Sequence, residues 1–119
     1  MDQTHVHLLI NHLPIFGSIL GVMVLVHALW MDSKQTSMAA YNLFIVSAIG
    51  AGIAYFTGEA AEETVENIQG ISENVINVHE DVAVYALVSI IALGVLSILG
   101  HLSIIKDFKI YKSLAWLIL

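Results

Sequence analysis

The sequence predicts an all-α fold, a transmembrane helical bundle of three full spans and a partial fourth, with the N-terminus outside. Three observations carry that expectation. Of the 119 residues, 58 % are hydrophobic and only 12 % charged, whereas a soluble domain carries about 25 % charged residues. The apolar residues come in blocks near the length of about 20 that crosses a hydrocarbon core of about 30 Å. All the basic residues are lysines, and they fall in alternate loops. The length suits one transmembrane domain, residues 1–119. The absence of cysteine excludes disulfides, thiolate metal sites and cysteine nucleophiles, which leaves six histidines as candidate ligands.

The first block, about 8–31, is interrupted only by Asn11, His12, Pro14, Ser18 and His27. No basic segment precedes it and no small-residue cleavage site follows, so it reads as a retained helix. The second block covers about 39–57 and the third about 82–102. From residue 108 the chain turns apolar again but reaches Leu119 after about twelve residues, short of a crossing. The expectation is a fourth helix cut short, because a chain ending in mid-bilayer would leave carbonyls unpaired in hydrocarbon.

Lys34 lies in the first loop and Lys106, Lys109 and Lys112 in the third, whereas the N-terminus and second loop have no lysine. The positive-inside rule then puts the first and third loops in the cytoplasm and the acidic second loop, 58–78, outside. The expected location is a bacterial inner membrane with that loop on the periplasmic side. The loop is long enough for a short helix starting near Thr57 or Gly58, broken at Gly70, with Ser72 capping the helix that follows. Its Glu59, Glu62, Glu63 and Glu66 share one helical face.

At about 100° per residue, His5, His12 and His27 share a face of the first helix. His79 and His101, 22 residues apart, share a face of the third. Antiparallel packing would bring His12 toward His79 and His27 toward His101, the arrangement of a membrane cytochrome with haem held between facing imidazoles. The rises disagree, at roughly 22 Å from His12 to His27 and roughly 33 Å from His79 to His101. A single site at His12 and His79 is therefore the safer expectation, with His27 and His101 either a second ligand pair or interfacial residues like Trp30. Ala83, Ala86, Gly94 and Ser97 line the third helix between its histidines and would admit a flat macrocycle. Small residues at such spacing are equally the ordinary packing surface of membrane helices, as Gly17, Gly21 and Ala28 are on the first. Gly50 and Gly52 permit close approach on the second helix, and Phe16 and Met23 share the histidine face of the first.

A different chemistry is open at the outer surface, where His5, His7, Glu59, Glu62 and Glu63 form a candidate set for a non-haem metal. The alternative is that the glutamates form a solvated negative face or dock a basic partner. No phosphate loop, nucleophile and base pair or basic nucleic-acid patch is present.

The segment His7-Leu8-Leu9-Ile10-Asn11-His12-Leu13-Pro14 resembles the first helix of a widespread bacterial family of uncharacterised four-helix membrane proteins, which opens His-x4-His-x-Pro. The similarity extends to Tyr55-Phe56-Thr57-Gly58-Glu59 and to His79, and covers most of the chain. The resemblance implies four transmembrane helices, carries over His7, His12 and His79, and brings an expectation of haem or metal binding. The chain departs from the family in its incomplete fourth helix and its unusually acidic second loop.

Together these features predict a b-type haem subunit that transfers electrons within a larger respiratory or photosynthetic complex, without catalysis of its own. The alternatives are a cofactor-free accessory subunit and a His/Glu metal protein. The expected partners are the bilayer and other membrane subunits, in a hetero- or homo-oligomer, and no nucleic acid. A quinone is a further cofactor such a bundle accommodates.

Overall fold

The computed structural model describes residues 3–65, 73–106 and 110–119, and every element among them is an α-helix. These are α1 (Gln3–Ile10), α2 (His12–Met31), α3 (Lys34–Val65), α4 (Glu73–Ile105) and α5 (Tyr111–Ile118). Three stretches are long and apolar enough to cross a membrane, namely His5–Met31, Lys34–Gly58 and Asn74–Ile105. The most apolar window of α4 is only 11 % buried inside the protein. Its hydrophobicity therefore does not serve an internal core, and a lipid environment is the solvent that accommodates it. Trp30, Tyr85 and Phe56 are likewise exposed.

The first span contains both α1 and α2, which meet at a turn at Asn11. The break has a local cause: Pro14 has no N–H to give the Ile10 carbonyl. Asn11 keeps a right-handed helical conformation and its N–H still reaches the His7 carbonyl at 3.0 Å. Proline in the first turn of α2 removes a donor that would have been unpaired there in any case.

At the other end of α2 the chain reverses within two residues. Asp32 adopts a left-handed conformation (φ 50°), while its N–H and that of Ser33 return to the carbonyls of Leu29 and Ala28. This pair of bonds satisfies carbonyls that the helix end would otherwise leave open. Ser33 then starts α3, its hydroxyl oxygen accepting the Thr36 N–H at 3.1 Å.

Helix α3 is the central element and packs against α1, α2 and α4. Missing side chains set these contacts. Gly17 faces Ser47 and Gly21 lies on the Phe44 ring, while Gly50 receives Leu13. Across the other interface Gly94 meets Ala48 and Gly100 meets the Tyr41 ring. Close approach of this kind is what drives helix association where lipid is as apolar as the side chains. Gly52, by contrast, has nothing within 4 Å of where a Cβ would be. The Gly17, Gly21 and Ala28 face of the first span is its buried face, as the sequence suggested.

Helix α5 takes the fourth position of the bundle at the end bearing the lysines. Ala115 joins Leu25, Ala40, Tyr41 and Phe44 in a fully buried cluster, and the Tyr41 hydroxyl donates to the Tyr111 carbonyl at 2.6 Å. Lys112 pairs with Asp32, and the Lys34 ammonium lies 5.8 Å from the centre of the Tyr111 ring.

The second loop is organised differently from expectation. No new helix begins at Thr57 or Gly58, because α3 continues through both to Val65. Glu66, Gly70 and Ser72 lie outside the described residues, and so does Lys109.

Candidate functional site

The groove of interest lies at the end opposite α5, on one face of α3. Phe44, Ala51 and Tyr55 recur on that face at helical spacing. Phe44 is covered near α5, but Ala51, Ala54 and Tyr55 line an open groove of about 270 Å³ between the first span and α4. Pro14 and Ile15 form one wall, and Ala83, Ala86, Leu87 and Ile90 the other. Four alanines, with nothing beyond Cβ, leave the groove unfilled, and the polar side chains of His7, Asn11, Tyr55 and His79 also line it.

His7 and His79 face one another there, with ring centres 6.3 Å apart and planes at 89°. Nδ1 of His7 lies 2.9 Å from the Ala54 carbonyl oxygen and 3.3 Å from Thr57 Oγ1. A carbonyl can only accept, so Nδ1 carries a proton, which in the neutral ring leaves the lone pair on Nε2. Gly58 makes room for the ring: a Cβ there would come within 3.1 Å of the His7 ring carbon Cε1.

The remaining histidines are placed elsewhere. His12 is exposed, its Nδ1 lies 2.6 Å from the Leu8 carbonyl, and its ring stacks on Phe16. It lines a separate shallow hollow with His5, Leu8 and Leu9, so the histidine the structure sets opposite His79 is His7 and not His12. Met23 and Phe16 are exposed on the outward side with it. His27 is also exposed, about a third of a turn from the centre of the face that α2 buries. His101 is partly buried on α4; its Nδ1 and the Ser97 hydroxyl, one turn earlier, are buried without hydrogen-bond partners among the described residues. No ring contact joins His27 to His101.

Among the described residues no three His, Cys, Asp or Glu side chains gather as a metal-binding group. The backbones of Glu59, Glu62 and Glu63 belong to the last turns of α3, and their side chains lie outside the described residues.

A signal for His7 was present in the sequence. His7, Pro14, Gly21 and Ala28 are spaced by sevens, so His7 belongs to the small-residue face of the first helix. The shared face of His5, His12 and His27 is a different one, and small residues decide which face is buried.

Compared with protein-family models, curated proteins and solved structures, the chain has no match.

Proposed function

We propose that this protein is a membrane-embedded b-type haem subunit that passes electrons within a larger respiratory or photosynthetic assembly, and that His7 and His79 are the residues that would hold the haem. The observation that carries this reading is the facing pair of imidazoles at the groove. A metal–nitrogen bond to histidine is about 2.0–2.1 Å, so two rings ligating one ion from opposite sides have centres roughly 6 Å apart. The 6.3 Å separation of His7 and His79 suits that arrangement. The Nδ1 bond of His7 to the Ala54 carbonyl is the outer partner a ligating imidazole ordinarily has, and it leaves Nε2 as the ligand atom. The alanine-lined walls suit a flat apolar macrocycle. When bound, haem supplies one-electron chemistry tuned by its axial ligands. The protein's contributions are to hold the two imidazoles and surround the site with apolar side chains.

By the positive-inside rule the lysine-bearing end lies in the cytoplasm of a bacterial inner membrane, which puts the histidine pair near the periplasmic surface. The test is an absorption spectrum of the purified full chain. A Soret band is expected in the wild type, lost in His7→Ala and shifted in His79→Ala. Absence of the band, with no haem recovered by extraction, overturns the reading.

One observation favours a second reading, a cofactor-free accessory subunit. The groove occupies the position in the bundle that α5 fills at the lysine end. An apolar helix of a partner subunit would fit there against Ala51, Ala83 and Ala86, as small residues permit. This reading predicts a haem-free protein whose assembly with its partner is lost when Ala51 and Ala86 are replaced by leucine.

A further inference from the structure

The two facing histidines are held very differently. The His7 ring is fixed from three sides, by the Ala54 carbonyl, the Thr57 hydroxyl oxygen and the space left at Gly58. The Thr57 hydroxyl spends its own proton on the carbonyl of Ile53, 3.0 Å away, or of Ala54, 3.1 Å away. Its oxygen is then available to accept from Nδ1 of His7, which reinforces the same tautomer. His79 has no such support. It is exposed, and among the described residues its ring makes no hydrogen bond; its aromatic contact is with His7 itself.

The packing of α4 accentuates the difference. From Asn74 to Leu93 no residue of α4 is fully buried, and the first buried position from Asn74 onward is Gly94, against Ala48. His79 precedes that anchor by 15 residues, roughly 22 Å along the helix. Displacing His79 breaks no hydrogen bond among the described residues, whereas displacing His7 breaks the bonds that tie α1 to α3.

We propose that of the two histidines that would hold the haem His7 is the fixed one and His79 the exchangeable one, so that the His79 side of the site would bind small exogenous haem ligands such as carbon monoxide. Thr57 and Gly58 act as positioning residues for His7. The inference rests on the haem reading above. In such an exchange the imidazole lone pair of His79 would be replaced by the carbon lone pair of carbon monoxide, one two-electron donor for another, with no change of oxidation state.

The experiment uses the full chain purified with its haem, reduced with dithionite and exposed to carbon monoxide. Wild type is expected to shift its Soret band on addition of the gas. His79→Ala is expected to keep its haem and bind the gas faster, while His7→Ala loses haem. Gly58→Ala and Thr57→Val are expected to weaken haem affinity by about 10-fold to 100-fold, the usual effect of removing support behind a metal ligand. Thr57→Ser, which keeps the hydroxyl, restores it, and unchanged helical circular dichroism separates these effects from misfolding. A haem-free wild type overturns the haem reading, and this inference with it. A haem-loaded wild type that does not react with the gas overturns the inference alone, as does equal haem loss in His7→Ala and His79→Ala.

Discussion

Substituting alanine at three glycines gives a direct measure of how closely the helices approach. A glycine-to-alanine change within a helix gains about 1 kcal/mol of intrinsic propensity, and that gain is common to Gly21 and Gly52, so it cancels in their comparison. At Gly52 a Cβ meets nothing within 4 Å. At Gly21 it would lie 2.7 Å from Phe44 Cε1 and 3.0 Å from both Cδ1 and Cζ, where carbon atoms prefer about 3.5–4.0 Å. The Phe44 ring is 0 % exposed and belongs to the buried cluster under α5, so it has no free space to turn into. Overpacking of this kind costs about 1–3 kcal/mol. Gly52→Ala is therefore expected to stabilise the protein by about 1 kcal/mol, and Gly21→Ala to be less stable than Gly52→Ala by about 1–3 kcal/mol. Gly17→Ala falls between them, because its obstacle is the Ser47 hydroxyl at the end of a short rotatable side chain. The assay is unfolding in mixed micelles of rising SDS fraction, followed by circular dichroism and tryptophan fluorescence. Equal midpoints for Gly21→Ala and Gly52→Ala would refute the claimed contact between α2 and α3.

Three further outcomes can be checked in the same way. Tyr41→Phe removes the bond to the Tyr111 carbonyl and is expected to cost about 0.5–1.5 kcal/mol, with α5 becoming more accessible to proteolysis; an unchanged midpoint contradicts the docking of α5. Ser33→Ala removes the hydroxyl that caps α3 and is expected to cost about 1 kcal/mol, which Ser33→Asp recovers. On the proposed haem reading, replacing His12 or His27 with alanine is expected to leave the absorption spectrum unchanged, since both are exposed and turned away from the groove. A spectrum that changes in either variant would move the ligand assignment away from His7 and His79.

Much of the architecture was legible in advance because hydrophobic length and small-residue spacing are local properties. The three apolar blocks appear as the three candidate spans, and Gly17, Gly21 and Ala28 form the buried stripe expected of them. The continuation of α3 to Val65 was not legible. Acidic residues suggested a separate loop helix, yet backbone hydrogen bonding carries the helix through Gly58, whose missing Cβ accommodates His7. The shared face of His5, His12 and His27 directed attention to His12, but a common face does not establish that the face is buried.

The sequence by itself determined that the chain is a bundle of membrane-crossing helices, since apolar runs of this length have no other stable solvent. It also determined where those helices approach closely, because only small residues allow it. Only the tertiary structure decided which histidines meet. The rotation of each helix is set by the best packing of its whole length against α3, and that rotation turns His7 toward His79 and leaves His12 and His27 on exposed faces. The groove is likewise a tertiary property, formed where three helices enclose a fourth position that α5 fills only at the lysine end.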